Sequence, residues 1–203
     1  MKYPIDIEKC AIDFLSISGH KIHGIKGVGA LYVRQPEKLK PLIFGGGQEQ
    51  GLRSGTENTV GIIALGKAVE IAQRDFKENL LKLELLREYF VTRISEIDDT
   101  LVNSPEDGAR HIVNVSFLGV PSEIMLHSLE EKGVYVSSGS ACSAKKKGSR
   151  VLETFKLKEA VRNSAIRFSF SHQNTFAEID QTIDILKNIT SDIRMITRYK
   201  NKN

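Results

Sequence analysis

The sequence predicts an α/β fold, a small sheet covered by helices, and three observations carry that expectation. Short apolar runs alternate with stretches of helical period. Glycine- and proline-containing turns separate them. One long stretch, 59–97, keeps apolar residues on one face at spacings of three and four.

In chain order, Asp13 to Ser18 reads as a first strand, followed by a turn studded with Gly19, Gly24, Gly27 and Gly29. Ala30-Leu31-Tyr32-Val33 reads as a second strand, stopped by Gln35-Pro36. Gly45-Gly46-Gly47 marks a tight connection; with no Lys-Ser/Thr after it and no strand before it, it is a poor P-loop. Within 59–97, Leu83, Leu86, Phe90, Ile94 and Ile97 share a face. A break is expected near Arg74-Asp75, and Ser54-Gly55-Thr56-Glu57 fits a capping box at the start. Such a helix leaves one domain and enters the next.

His111 to Phe117 then reads as a strand, and Pro121-Ser122-Glu123 opens a helix that ends by Gly133. Val134-Tyr135-Val136 reads as a strand running into the small-residue loop Ser137-Ser138-Gly139-Ser140-Ala141-Cys142. Helices are expected near Val151 and Lys158, and a strand over Ala165 to Ser169. Thr175-x-x-Glu178 caps a last helix with Ile179, Ile183, Leu186 and Ile193 on its apolar side. The polar residues after Arg198 read as a frayed tail.

The 203 residues allow one domain or one and a half. The net charge of +4 is spread among acidic residues, which argues against a nucleic-acid face. Lys145-Lys146-Lys147 is the sharpest basic cluster and reads as a solvated loop, with an acidic protein partner as the alternative. Two cysteines are too few for a disulfide framework and point to a reducing cytoplasm. Met1-Lys2-Tyr3-Pro4 leads into no apolar signal segment, and no run is long enough to span a bilayer. No metal is expected, because His111, His127 and His172 lack ligand spacing.

The chemistry concentrates in Lys21, Cys142 and their surroundings. A lysine at the end of a strand can hold an aldehyde cofactor as a Schiff base, provided burial or a nearby cation lowers its pKa. Ser18 can offer a hydroxyl to a phosphate. A cysteine on a small-residue loop can take a sulfur atom as a thiolate. For Cys10 the plain reading, a small packed residue, is preferred.

Four blocks then resemble the cysteine desulfurases, a branch of the class V aminotransferases, and they run in that family's order. They are Ser16-Ile17-Ser18-Gly19-His20-Lys21-Ile22-His23-Gly24-Ile25-Lys26-Gly27, the pair Gly45 to Glu49 and Leu52 to Asn58, the Ser137 to Cys142 loop, and Ser164 to Ser169. The resemblance implies a pyridoxal 5'-phosphate (PLP) enzyme of fold type I, like aspartate aminotransferase. It implies that residues 1–58 are a remnant of the large cofactor domain and 59–203 a small C-terminal α+β domain with the linking helix. Lys21 matches the cofactor lysine, and Ser18 and His20 match phosphate ligands. Thr56 matches a phosphate contact made to a neighbouring subunit, with helix capping as the equal alternative. Arg167 matches the arginine that clamps the substrate carboxylate, and Cys142 the acceptor that becomes a persulfide. L-Cysteine as substrate, an iron–sulfur scaffold or other sulfur acceptor as partner, and a homodimer follow from the same likeness.

Two departures accompany it. Ile25 stands where the family has proline. The chain corresponds to the C-terminal half only, so the ring-stacking histidine, the aspartate on the ring nitrogen and the glutamine at the ring hydroxyl have no counterpart. Without the rest of the sheet, the first strand is expected to lack partners, and residues through Gln50 to be disordered, rearranged or paired with another copy. Three readings result: a desulfurase portion, an incomplete fragment that dimerises or docks on a scaffold, or another class V activity such as selenocysteine cleavage.

Overall fold

The computed structural model describes residues 2–138 and 150–197. The chain divides into two compact units, Met1–Glu78 and Asn79–Asn203. This division falls after Glu78, whereas the sequence places a domain boundary after Asn58. The difference is the first long helix, which touches the Gly19–Ile22 turn of the first unit.

In the first unit, β1 (Phe14–Ser18) pairs antiparallel with β2 (Gly29–Val33), with Ile17 opposite Ala30 and Ser18 opposite Gly29. The first strand therefore has a partner within the chain, contrary to expectation. Gly29 has to be glycine, because a Cβ there would stand 2.5 Å from the Ile17 carbonyl oxygen. Between the strands the chain makes a short 3₁₀ turn, Gly19–Ile22, closed by the Gly19 N–H donating to the Val28 carbonyl at 2.9 Å. Arg34 ties the N-terminal segment to the hairpin, donating to the carbonyls of Ile12 and Ile7 and to Glu8.

Helix α1 (Thr59–Arg74) begins four residues later than a box at Ser54–Glu57 would place it. Its cap is Asn58, whose side chain accepts the Gly61 N–H at 3.0 Å. Ser54 is buried instead, with its hydroxyl donating to the Gly46 carbonyl at 2.8 Å. The break falls at Asp75, and α2 (Phe76–Ile94) follows.

The second unit carries a three-stranded antiparallel sheet ordered β3 (Thr100–Val102), β4 (Ile112–Phe117), β5 (Ala165–Ser169). The three-residue β3 was too short to be read from the sequence. Helices α3 (Ser122–Glu131), α4 (Arg150–Thr154), α5 (Glu159–Asn163) and α6 (Phe176–Thr197) complete the unit. Val113, Val115, Phe117, Ile166 and Phe168 point from one sheet face into a core. Leu86, Phe90 and Ile94 of α2 and Ile183 and Leu186 of α6 meet them there. Phe90 lies between Phe168 and Phe170, at ring distances of 4.7 and 5.3 Å.

The Thr175–Glu178 box forms as expected. The Thr175 N–H donates to the Glu178 carboxylate at 2.9 Å, and the Glu178 N–H to the Thr175 hydroxyl at 3.2 Å. No helix among the described residues is long and apolar enough to cross a membrane.

Candidate active site

In the first unit, the end of β1 and the turn after it place Ser18, Gly19, His20 and Lys21 in succession. Ser18 has extended backbone at the N-terminal edge of the turn, yet its side chain caps nothing. Gly19 is buried and closely packed: a Cβ would stand 3.1 Å from the Val28 carbonyl oxygen, so the neighbouring backbone would have to give by a few tenths of an ångström. His23 ends the turn with left-handed backbone, φ 64. The side chains of Ser18, His20 and Lys21 are exposed, and none makes a hydrogen bond or ion pair among the described residues.

The burial expected around Lys21 is thus not supplied by its own strand. β1 is largely exposed, with only Leu15 half-buried. The donors present nevertheless suit an anionic, phosphate-bearing cofactor: a hydroxyl, an imidazole and an ammonium on four consecutive residues, all uncommitted. Thr56 is exposed and does not cap α1, since Asn58 fills that role. Helix capping is therefore removed as an explanation of Thr56.

In the second unit, Arg167 lies in β5. Its N–H and C=O point away from β4 and pair with Ser137, at 2.7 Å (Arg167 N to Ser137 O) and 3.2 Å (Ser137 N to Arg167 O). Among the described residues, Ser137 alone bridges there. Val134-Tyr135-Val136, read as a strand, stays outside the sheet; a cavity of about 430 Å³ is lined by this segment, β5 and α6. Among the described residues, none of the sequence-predicted site residues lines that cavity.

The Arg167 side chain belongs to the opposite, polar face of the sheet. Directly across from it in the register is Asn114. The Nε of Arg167 is buried without a hydrogen-bond partner, and no carboxylate pairs with the guanidinium among the described residues. A buried guanidinium nitrogen without an acceptor is a costly arrangement that an incoming anion relieves. Cys142 lies outside the described residues. Sequence reasoning missed Asn114 and its neighbour Asn103, whose only signal was polar residues alternating with the apolar ones of β4.

The family profile described as aminotransferase class-V matches residues 1–182. The chain belongs to that family. Its members are PLP-dependent, and the solved neighbours share the α/β architecture expected here. The cysteine desulfurase IscS of Dictyoglomus turgidum is 39% identical over 200 residues, covering 97% of this chain and 51% of that protein. The cysteine desulfurase IscS of Clostridium botulinum is 40% identical over 195 residues, 94% of this chain and 49% of that one. A NifS-like protein from Rickettsia africae superposes with a TM-score of 0.82 at 30% identity, over 94% of this chain and 51% of its own. A structure described as SspA in complex with cysteine gives a TM-score of 0.62 at 36% identity, over 86% and 48%. The chain thus spans about half the length of the curated relatives it matches.

Proposed function

We propose that this chain supplies the lysine, the acceptor cysteine and the carboxylate clamp of a PLP-dependent cysteine desulfurase. The observation that carries the reading is the Ser137–Arg167 pair: the strand holding a guanidinium whose buried Nε has no partner also anchors the start of the segment that leads to the cysteine. Cys142 follows Ser137 by five residues, a length of chain that reaches no further than about 18 Å.

PLP, when bound, withdraws electrons from the bonds around the substrate's Cα and Cβ. Ser18, His20 and Thr56 would hold its phosphate and Lys21 its aldehyde carbon, and Lys21 would also move the Cα proton. Arg167 would fix the α-carboxylate of L-cysteine in bidentate fashion. The Cys142 thiolate would bond to the substrate sulfur while the Cβ–S bond breaks. Its electron pair stays with carbon, which takes a proton, so alanine leaves and Cys142 carries a persulfide. The persulfide sulfur would pass to an iron–sulfur scaffold or other acceptor protein, and the Thr56 contact would be made across a homodimer.

One observation favours a second reading for the chain on its own. No hydrophobic side chain of the first unit is buried among the described residues, so a further polypeptide surface is needed before Lys21 is enclosed. Incubation with PLP and L-cysteine tests both. Alanine and a persulfide that vanishes in Cys142→Ala, obtained only with the rest of the fold added, support the two together. Turnover by the purified chain alone sinks the second; absence of sulfur transfer by the complete assembly sinks the first.

A further inference from the structure

The polar face of the sheet contains a hydrogen-bond relay that points at Arg167. It starts at a group that can only accept, the Val161 carbonyl. The Ser116 hydroxyl lies 2.7 Å from that oxygen and must donate to it. Having spent its proton, the Ser116 oxygen accepts from the Asn103 side-chain amide nitrogen, also at 2.7 Å. That nitrogen gives its second hydrogen to the Oδ1 of Asn114, at 2.7 Å. Each step is forced by the one before, so the Asn114 amide can have only one orientation. Its oxygen faces β3, and its Nδ2 keeps two donors that have no partner among the described residues.

Asn114 and Arg167 are directly opposite in the antiparallel register. The Arg167 N–H and C=O are used by Ser137, so the pair is of the non-hydrogen-bonded kind. In such pairs the Cα atoms stand about 4.5 Å apart and both side chains rise from the same face. An oriented amide donor therefore sits beside a guanidinium whose Nε is buried and unpaired. We propose that Asn114 and Arg167 together bind the α-carboxylate of the amino-acid substrate, and that Asn103 and Ser116 are positioning residues that hold the Asn114 donors toward it. This inference rests on the desulfurase reading for the identity of the anion.

The test compares L-alanine with ethylamine, which lacks only the carboxylate, by NMR titration of the full chain. In the wild type, L-alanine binds more tightly than ethylamine and shifts the Asn114 side-chain amide protons. Asn114→Ala lowers the preference about tenfold, the range for a hydrogen bond to a charged group, with ethylamine binding unchanged. Asn103→Asp presents only acceptors, so Asn114 turns its Nδ2 toward β3; the preference falls although Asn114 itself is intact. The thermal midpoint of each variant shows whether the sheet persists, and Asn103→Asp serves alone if Asn114→Ala unfolds. Preference lost in Arg167→Ala but retained in both asparagine variants overturns this inference alone. No preference in the wild type overturns the carboxylate site in this chain, whereas the desulfurase reading beneath falls only if the complete assembly transfers no sulfur.

Discussion

The two units of this chain differ in how much of their apolar surface they can hide. In the second, twenty of the described hydrophobic residues, from Leu83 to Ile193, are buried. In the first, none of the described ones is. Leu42, Phe44, Val60 and Ile63 there are 93, 81, 74 and 73% exposed. Among the described residues the hairpin is a sheet of two strands, and isolated hairpins are marginally stable. The second unit has the makings of a self-sufficient domain, while the first leaves the apolar side chains of its described residues uncovered.

The comparison can be broken most sharply in the core. Leu86→Ala, which removes a fully buried side chain between α2 and α6, is expected to cost about 3 kcal/mol in denaturant unfolding. Leu42→Ala in the first unit should change the same measurement by less than about 0.5 kcal/mol. Equal losses would mean that the first unit has a core after all. The double change Leu42→Ser with Phe44→Ser should instead reduce binding of a hydrophobic dye, leaving the unfolding midpoint in place.

A medium effect is expected at the Thr175–Glu178 box. Thr175→Ala should cost about 1 kcal/mol. The Thr175 N–H, followed by Asn174, holds the Glu178 carboxyl below its ordinary value. A lowered folded pKa means the stabilisation is complete above the ordinary carboxylate value near 4.3 and is lost as pH falls through the folded value. Unfolding midpoints taken from pH 6 down to 3 should therefore fall less steeply in Glu178→Gln than in the wild type. The smallest effect is expected at Asn58. Its replacement by alanine should speed amide exchange in the first turn of α1, with no change in the exchange of β4 and β5.

The sequence was most legible where period and chemistry agreed. The face Leu83, Leu86, Phe90, Ile94 is buried because its spacing matches the helix turn. The two capping-box patterns show where local reading stops. Thr175 and Glu178 sit where the helix begins, whereas Ser54 and Glu57 match the same pattern ahead of a helix that starts at Thr59. Asn58 was closer and took the cap. Val134–Val136 has strand composition, yet its valines pack against the core while its backbone stays unladdered. Side-chain burial, which composition reports, was satisfied without the pairing that it does not report. At the site, Lys21 and Arg167 were legible through motif resemblance. Asn114 was not, because its meaning comes from a register and a chain of donors that only the folded sheet creates.

The Ser137–Arg167 pair also bears on how such a chain can be edited. Alternate residues of a strand face opposite sides, so shifting this pairing by one residue would turn Ser137 away from the polar face. Residues added or removed beyond Ser138 would alter the reach of the cysteine by at most about 3.5 Å each and leave the guanidinium where it is. The pair is therefore a splice point. On the proposed reading, one side would be the fixed clamp for the amino acid and the other the length of chain that sets how far the acceptor cysteine reaches.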